Sequence, residues 1–318
     1  MSLTTRTIEG AVLGPPRRSD APGGFGFSIF DSRGARVADT SPVRHGEPRF
    51  GPGEFPEGPA QHVEKAYFAG PMFGHFGHFL LESTARLHRF AEFADHTMLW
   101  TGKRRIEAWQ KAVLELLVPG AEHLVVKRKI ECGRLVIADR GFEVGADLAA
   151  EQARFLGKYV PREPGGGDRL WLSRANLSDV GGVEDEPWLE AALADQGWRV
   201  ISPERLPLRE QLEAVGGASV VAGVIGSAFH SVLLLRECRA SLRMLARGRG
   251  YGATYDIIAE RLGLDQRIFT VPMEHTSGEG YRRRYRIGDE AARMQAIAEI
   301  TRPRGADPPP IAPRGASR

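Results

Sequence analysis

From Lys65 onward, short apolar runs alternate with stretches of helical periodicity. "AYFAG" precedes "HFLLESTARLHRFAEF", "TMLW" precedes "RIEAWQKAVLELL", and "HLVV" and "RLVIA" follow. Strands alternating with helices predict a parallel sheet with crossover helices. The pattern stops at "PREPGGGD", Pro161 to Asp168, where two prolines and three consecutive glycines fit neither a helix nor a packed strand. It then restarts with "RLWLS", a helix from Glu184 to Gln196, "WRVIS", a helix from Leu208 to Val215, and "SVVAG". The helix containing His230, "SLRML", a helix near Tyr255 to Leu262, and "IFTVP" complete this second unit. A last helical pattern runs from Asp289 to Ile300. The expectation is an α/β protein with two doubly wound domains, residues 63–163 and 168–275.

The flanks read differently. Residues 1–62 are rich in Gly and Pro, with only short alternating pieces such as Gly26 to Phe30, and predict an irregular β-rich entry segment. Residues 276–301 hold a basic turn and the last helix, and the Pro, Gly and Arg content of 302–318 predicts a disordered tail.

Composition narrows the class. At 318 residues and 42% hydrophobic content the chain has room for two cores. Two cysteines, Cys132 and Cys238, argue against a disulfide framework, and the N-terminus lacks the apolar core of a signal peptide, so a cytoplasmic protein is expected. No apolar run reaches the ~18 residues of a membrane helix. A net charge of +3 does not describe a nucleic-acid-binding surface, so an anion site should be local.

Four segments carry candidate chemistry. In open parallel sheets, ligands collect at the carboxyl ends of strands, where helix N-termini present unpaired N–H groups. In "VVAGVIGSAFHSVLLL" the strand ends near Gly223, Gly226 permits close backbone approach, and Ser227 and His230 fall on the first helical turn, where they can face a phosphate. Alternatively the glycines only turn the chain and Ser227 caps the helix. In "WLSRAN", Arg174 directly follows a strand, and its guanidinium has the fork geometry for a pyrophosphate; it could equally be a surface arginine. In "SPERLPLREQLEAVGGA", Glu204 at a strand end could accept ribose hydroxyls or cap the next turn, and Gln211 follows on the helix. In "AGPMFGHFGHFLLESTARLHRF", His78 and Glu82 are four apart, a spacing that suits a histidine base steadied by a carboxylate, although His78 could simply pack the helix. His75 and His78 lack a third ligand at convincing spacing and no D-x-D occurs, so no metal site is expected. "YRRRYR", Tyr281 to Arg286, is a solvated basic turn or a contact for an anionic membrane surface.

Taken in order, "GHFLLESTARL", "LWLSR" and "GWRVISPERLPLREQLEAVGGASVVAGVIGSAFHSVLLL" resemble glycosyltransferase family 61, over about residues 74–235. After Arg174 the chain reads "LSDVGGVEDE", without the Arg-rich run common in that family. The resemblance implies a GT-B-like architecture, two Rossmann-like domains facing across a cleft. It further implies inverting, metal-independent transfer of a sugar from a nucleotide-sugar donor, UDP-linked, to a glycan or polysaccharide acceptor, with no cofactor. His78 and Glu82 would then be catalytic, while Arg174, Gly226, Ser227 and His230 would hold the diphosphate and Glu204 and Gln211 the ribose or base. A catalytically silent glycan- or nucleotide-binding protein and a sugar-nucleotide epimerase are the alternatives.

Overall fold

The computed structural model describes residues 3–20, 24–102, 105–177, 180–248 and 250–303. The tail expected to be disordered thus lies outside the described residues, apart from its first two positions. The chain divides into two compact units, Met1–Lys158 and Tyr159–Arg318.

The first unit is built on one mixed sheet. Its strands are β1 (Thr5–Glu9), β2 (Val12–Leu13), β3 (Ile29–Phe30), β4 (Arg36–Val37), β5 (Gln61–Met72), β6 (Thr97–Gly102), β7 (His123–Val125) and β8 (Ile130–Ala138). They are ordered β7-β6-β5-β8-β2-β3-β4, and β1 also pairs with β8. Strands β5 to β8 are mutually parallel, as the alternation predicts. The first sixty residues do not stand apart: β1, β2, β3 and β4 extend the same sheet antiparallel. The continuous burial of β5 from Ala66 to Met72 is the signature of a parallel strand covered on both faces. Helix α1 (Ala108–Leu117) buries Val113, Leu114 and Leu117, and its N-terminus is closed by a Glu107–Gln110 capping box. Helix α2 (Ala150–Leu156) buries Ala153 and Leu156.

The single long helix expected after "AYFAG" is instead three short pieces. One α-turn, Phe76–His78, widens into a π-turn, Phe79–Ser83, and a 3-10 stretch, Leu87–Phe93, follows. The π register is marked by the Thr84 N–H, which donates to the Phe79 carbonyl five residues back at 3.2 Å. The Thr84 hydroxyl takes the Leu80 carbonyl at 2.6 Å, a side-chain bond that competes with regular helix.

The second unit holds β9 (Asp168–Leu172), β10 (Arg199–Ile201), β11 (Ala218–Val224), β12 (Ser241–Leu245) and β13 (Gln266–Phe269), all parallel and ordered β10-β9-β11-β12-β13. Helices α3 (Glu186–Ala194), α4 (Leu208–Gly217), α5 (Thr254–Leu262) and α6 (Glu290–Thr301) accompany it. Helices α3 and α6 pack on one face, where Trp171, Ala222, Val224, Leu189, Leu193, Ala296 and Ile297 share a core. On β9, Leu170 and Leu172 alternate with Trp171 and so point to the opposite face, as the period of two requires. Each such buried side chain contributes about 1.5–3 kcal/mol relative to exposure.

The division between the units precedes Tyr159, upstream of the Pro/Gly stretch. The Tyr159 N–H donates to Leu234 O, the Arg236 N–H donates back to Tyr159 O, and the Tyr159 hydroxyl donates to Glu213 at 2.6 Å. The glycines themselves are folded against the second unit, with the Gly165 N–H on Gly216 O at 3.0 Å. Among the described residues no helix is long and apolar enough to cross a membrane.

Candidate active site

In the first unit, the π-turn carries Glu82 into the interior, where its side chain is 2% exposed. An isolated buried carboxylate is costly, and three contacts offset that cost. Arg44 donates through Nε to Oε1 at 2.8 Å and through Nη2 to Oε2 at 2.9 Å. His78 Nδ1 lies 2.6 Å from the same Oε2. Burial alone would raise the Glu82 carboxyl, but the bonds from His78 and Arg44 outweigh it and hold the group below its ordinary value. A carboxylate at Nδ1 favours the tautomer with its proton there and leaves the Nε2 lone pair free to accept. The His78 side chain is 40% exposed, so that lone pair can meet a substrate. Arg44 lies over the Phe73 ring, 5.5 Å from its centroid, and the His75 ring sits 5.2 Å from that of His78.

Sequence reasoning missed Arg44. It sits in a two-residue ladder, Val43–Arg44 with Glu47–Pro48, inside the segment read only as irregular. The legible signal was the demand: a glutamate in the apolar run "HFLLEST" requires a cationic partner, though nothing local says which.

In the second unit, the order β10-β9-β11-β12-β13 is, in sequence terms, 2-1-3-4-5. In such sheets the chain reverses its direction of winding between the first and third strands, and ligands bind there at the carboxyl edge. Those strands are β9 and β11, and the residues beyond their ends are Ser173–Arg174 and Ile225–Gly226. Arg174 reaches across: a Cβ added at Gly226 would collide with Nη1 of Arg174. A side chain at position 226 would therefore push the guanidinium aside. Its φ of 179° is ordinary extended backbone, so space and not strain selects glycine. Arg174 Nη2 donates to Gly181 O at 3.2 Å, and its Nε is buried with no hydrogen-bond partner among the described residues.

Of the other expected residues, Ser227 adjoins this point directly. It opens a 3-10 helix, Ser227–Leu234, whose N-cap residue is Gly226 and not Ser227. His230 is 7% exposed and stacks on Tyr255, ring centroids 4.9 Å apart and planes at 24°. Glu204, exposed in a 3-10 turn after β10, is near enough that its charge acts on Arg174. Gln211 donates from Nε2 to Leu206 O at 2.8 Å, closing the turn that precedes α4. Glu186, 1% exposed, accepts the Arg174 backbone N–H at 2.8 Å, and burial pushes its carboxyl up to about 7. The basic turn belongs to a hairpin, Met273–Ser277 with Arg284–Ile287, whose Tyr281 is 70% exposed. Among the described residues no three His, Cys, Asp or Glu side chains gather as a metal set.

A parallel α/β sheet with an arginine at its switch point has the layout of the doubly wound α/β class, in which ligand sites lie beyond the strand ends. Within that class the family is established directly: the family model for glycosyltransferase 61 matches residues 76–242, just over half of the chain, and this protein belongs to that family and is a glycosyltransferase. No curated protein matches the chain. Among solved structures the chain is similar to the heptosyltransferase TibC, a dodecameric iron-containing protein in complex with ADP-D-beta-D-heptose. That likeness has a TM-score of 0.31 at 12% identity, over 86% of this chain and 79% of the other.

Proposed function

We propose that this glycosyltransferase moves a sugar from a UDP-linked donor to a glycan or polysaccharide acceptor, with inversion and without a metal ion, in a GT-B-like division of labour. The observation that carries the proposal is Arg174 seated on the Gly226 turn, at the carboxyl edge between β9 and β11. In the reaction, a base removes the proton from an acceptor hydroxyl, the oxygen attacks the anomeric carbon, and the bond to the diphosphate breaks. The developing charge on the leaving diphosphate needs fixed positive charge, which Arg174 and the N–H groups at Ser227 can supply in place of a metal. His78, held through Nδ1 by Glu82, is the base. Glu204 meets the ribose, and Gln211 shapes the loop that follows it. We assign the protein to the cytoplasm, with the exposed Tyr281 and its arginine neighbours touching an anionic membrane surface.

A screen of nucleotide sugars tests this. Free nucleoside diphosphate should be released from one donor, its release should survive EDTA, and the product linkage should be inverted. Sugar altered without nucleotide release would identify an epimerase, and donor binding without any turnover a silent binding protein.

A further inference from the structure

Arg174 is not the sole cation at this edge. Strand β12 lies on the far side of β11 from β9, and two residues past its end stands Arg247. Arg174 and Arg247 thus follow the two strands that flank β11 and its Gly226 turn. Both also converge on Gly181. Arg174 donates to the Gly181 carbonyl at 3.2 Å, and a Cβ added at Gly181 would collide with Nη1 of Arg247 and with the Arg283 carbonyl. The loop carrying Gly181 is clamped by its own N–H on Tyr281 O at 3.0 Å, so its glycine brings the backbone between the two guanidiniums.

Two features distinguish the pair from an ordinary structural cluster. The Nε atoms of both arginines are buried without a hydrogen-bond partner among the described residues. Their charge is only partly matched: Glu186, the buried carboxyl beside them, sits at about 7 because of its burial, and Glu204 acts on Arg174 from an exposed turn. Burial and then the charge of Arg174 both hold Arg247 below its ordinary value, the penalty of placing like charges together out of water. Tyr255, kept protonated by burial at about 12, lies close enough for both arginines to act on it. Positive charge and buried Nε donors beyond what the Gly181 carbonyl satisfies match a ligand with several anionic oxygens.

We propose that Arg247 is a second anchor for the donor's diphosphate, taking the phosphates from the β12 side while Arg174 takes them from the β9 side. This rests on the nucleotide-sugar reading given above.

Titration of the full chain with uridine, UDP, ADP, GDP and inorganic pyrophosphate tests it, with thermal melting run alongside. Arg247→Gln should weaken UDP and pyrophosphate by about tenfold to a hundredfold and leave uridine unchanged, as loss of charge-assisted bonds to phosphate requires. Wild-type affinity for UDP in folded Arg247→Gln would overturn the role of Arg247 and leave the nucleotide-sugar reading intact. If pyrophosphate binding is weakened by Arg247→Gln but no nucleoside diphosphate binds better than pyrophosphate, the anion anchor stands and the nucleotide-sugar reading falls. Binding of neither pyrophosphate nor any nucleotide by the wild type overturns both. Should Arg247→Gln melt below the assay temperature, Arg247→Lys decides: a several-fold loss for UDP supports the anchor, because Lys lacks the fork, and unchanged affinity overturns it.

Discussion

Arg44 grips Glu82 with both prongs of its guanidinium, 2.8 Å from Nε to Oε1 and 2.9 Å from Nη2 to Oε2, across 38 residues of sequence. The pair ties the N-terminal segment to the π-turn and fixes the carboxylate that holds His78. Removing one member of a buried pair strands the other, at about 3–5 kcal/mol when both are sealed from water. Arg44 is 23% exposed and can partly rehydrate, so Glu82→Ala should cost about 2 kcal/mol, read by chemical denaturation.

The same carboxylate makes a pH prediction. Glu82 has a folded value below its ordinary 4.5, so its contribution is present above pH 4.5 and is lost as pH falls through the lower folded value. The stability gap between wild type and Glu82→Gln should therefore hold constant from pH 7 to 5 and narrow on further acidification. A gap that does not change with pH would show that the charge of Glu82 contributes nothing.

Glu186 has the opposite sign. Its folded value, about 7, lies above 4.5, so the folded state binds more protons between these values and stability falls as pH rises from 4.5 through 7. A shift of that size corresponds to a penalty on the order of 3 kcal/mol once the group is fully ionised. Glu186→Gln keeps an acceptor for the Arg174 N–H and should flatten this slope in denaturation measured from pH 4.5 to pH 8.

Arg174 and Gly226 should behave as one device. Gly226→Ala places a methyl group where Nη1 of Arg174 sits, so it should weaken UDP binding while changing the melting temperature little. In an Arg174→Ala background the same glycine substitution should cost almost nothing, a non-additivity that a double-mutant cycle measures. Arg174→Lys should also lose affinity, since it keeps the charge without the fork.

His78→Ala should lower kcat by about 10²–10⁴ with donor affinity nearly unchanged, the usual cost of losing a positioned general base. Arg44→Gln should give a smaller fall in kcat, because it loosens the carboxylate that orients the ring. If His78→Ala instead lowers stability and leaves turnover per folded molecule intact, the residue only packs the turn.

Much of the second unit was legible in the sequence because its signals are local. "SLRML" and the helix beginning at Leu208 follow from periodicity, and "WLSR" puts Arg174 just past a strand because strand ends and glycine turns announce themselves within a few residues. The spacing of His78 and Glu82 likewise gave their contact, since one helical turn brings them together even where the helix widens to the π register. What tertiary structure alone decided was which distant segments meet. No local pattern says that strands of the first sixty residues join the sheet of β5 to β8, or that a two-residue ladder among them delivers Arg44 to Glu82. Nor does any motif mark Arg247, which reaches the Gly181 loop only because the sheet places β9, β11 and β12 side by side. Periodicity encodes which face of an element is buried; the order of strands is set by how whole elements cover one another's apolar faces, and that order determines which charges converge.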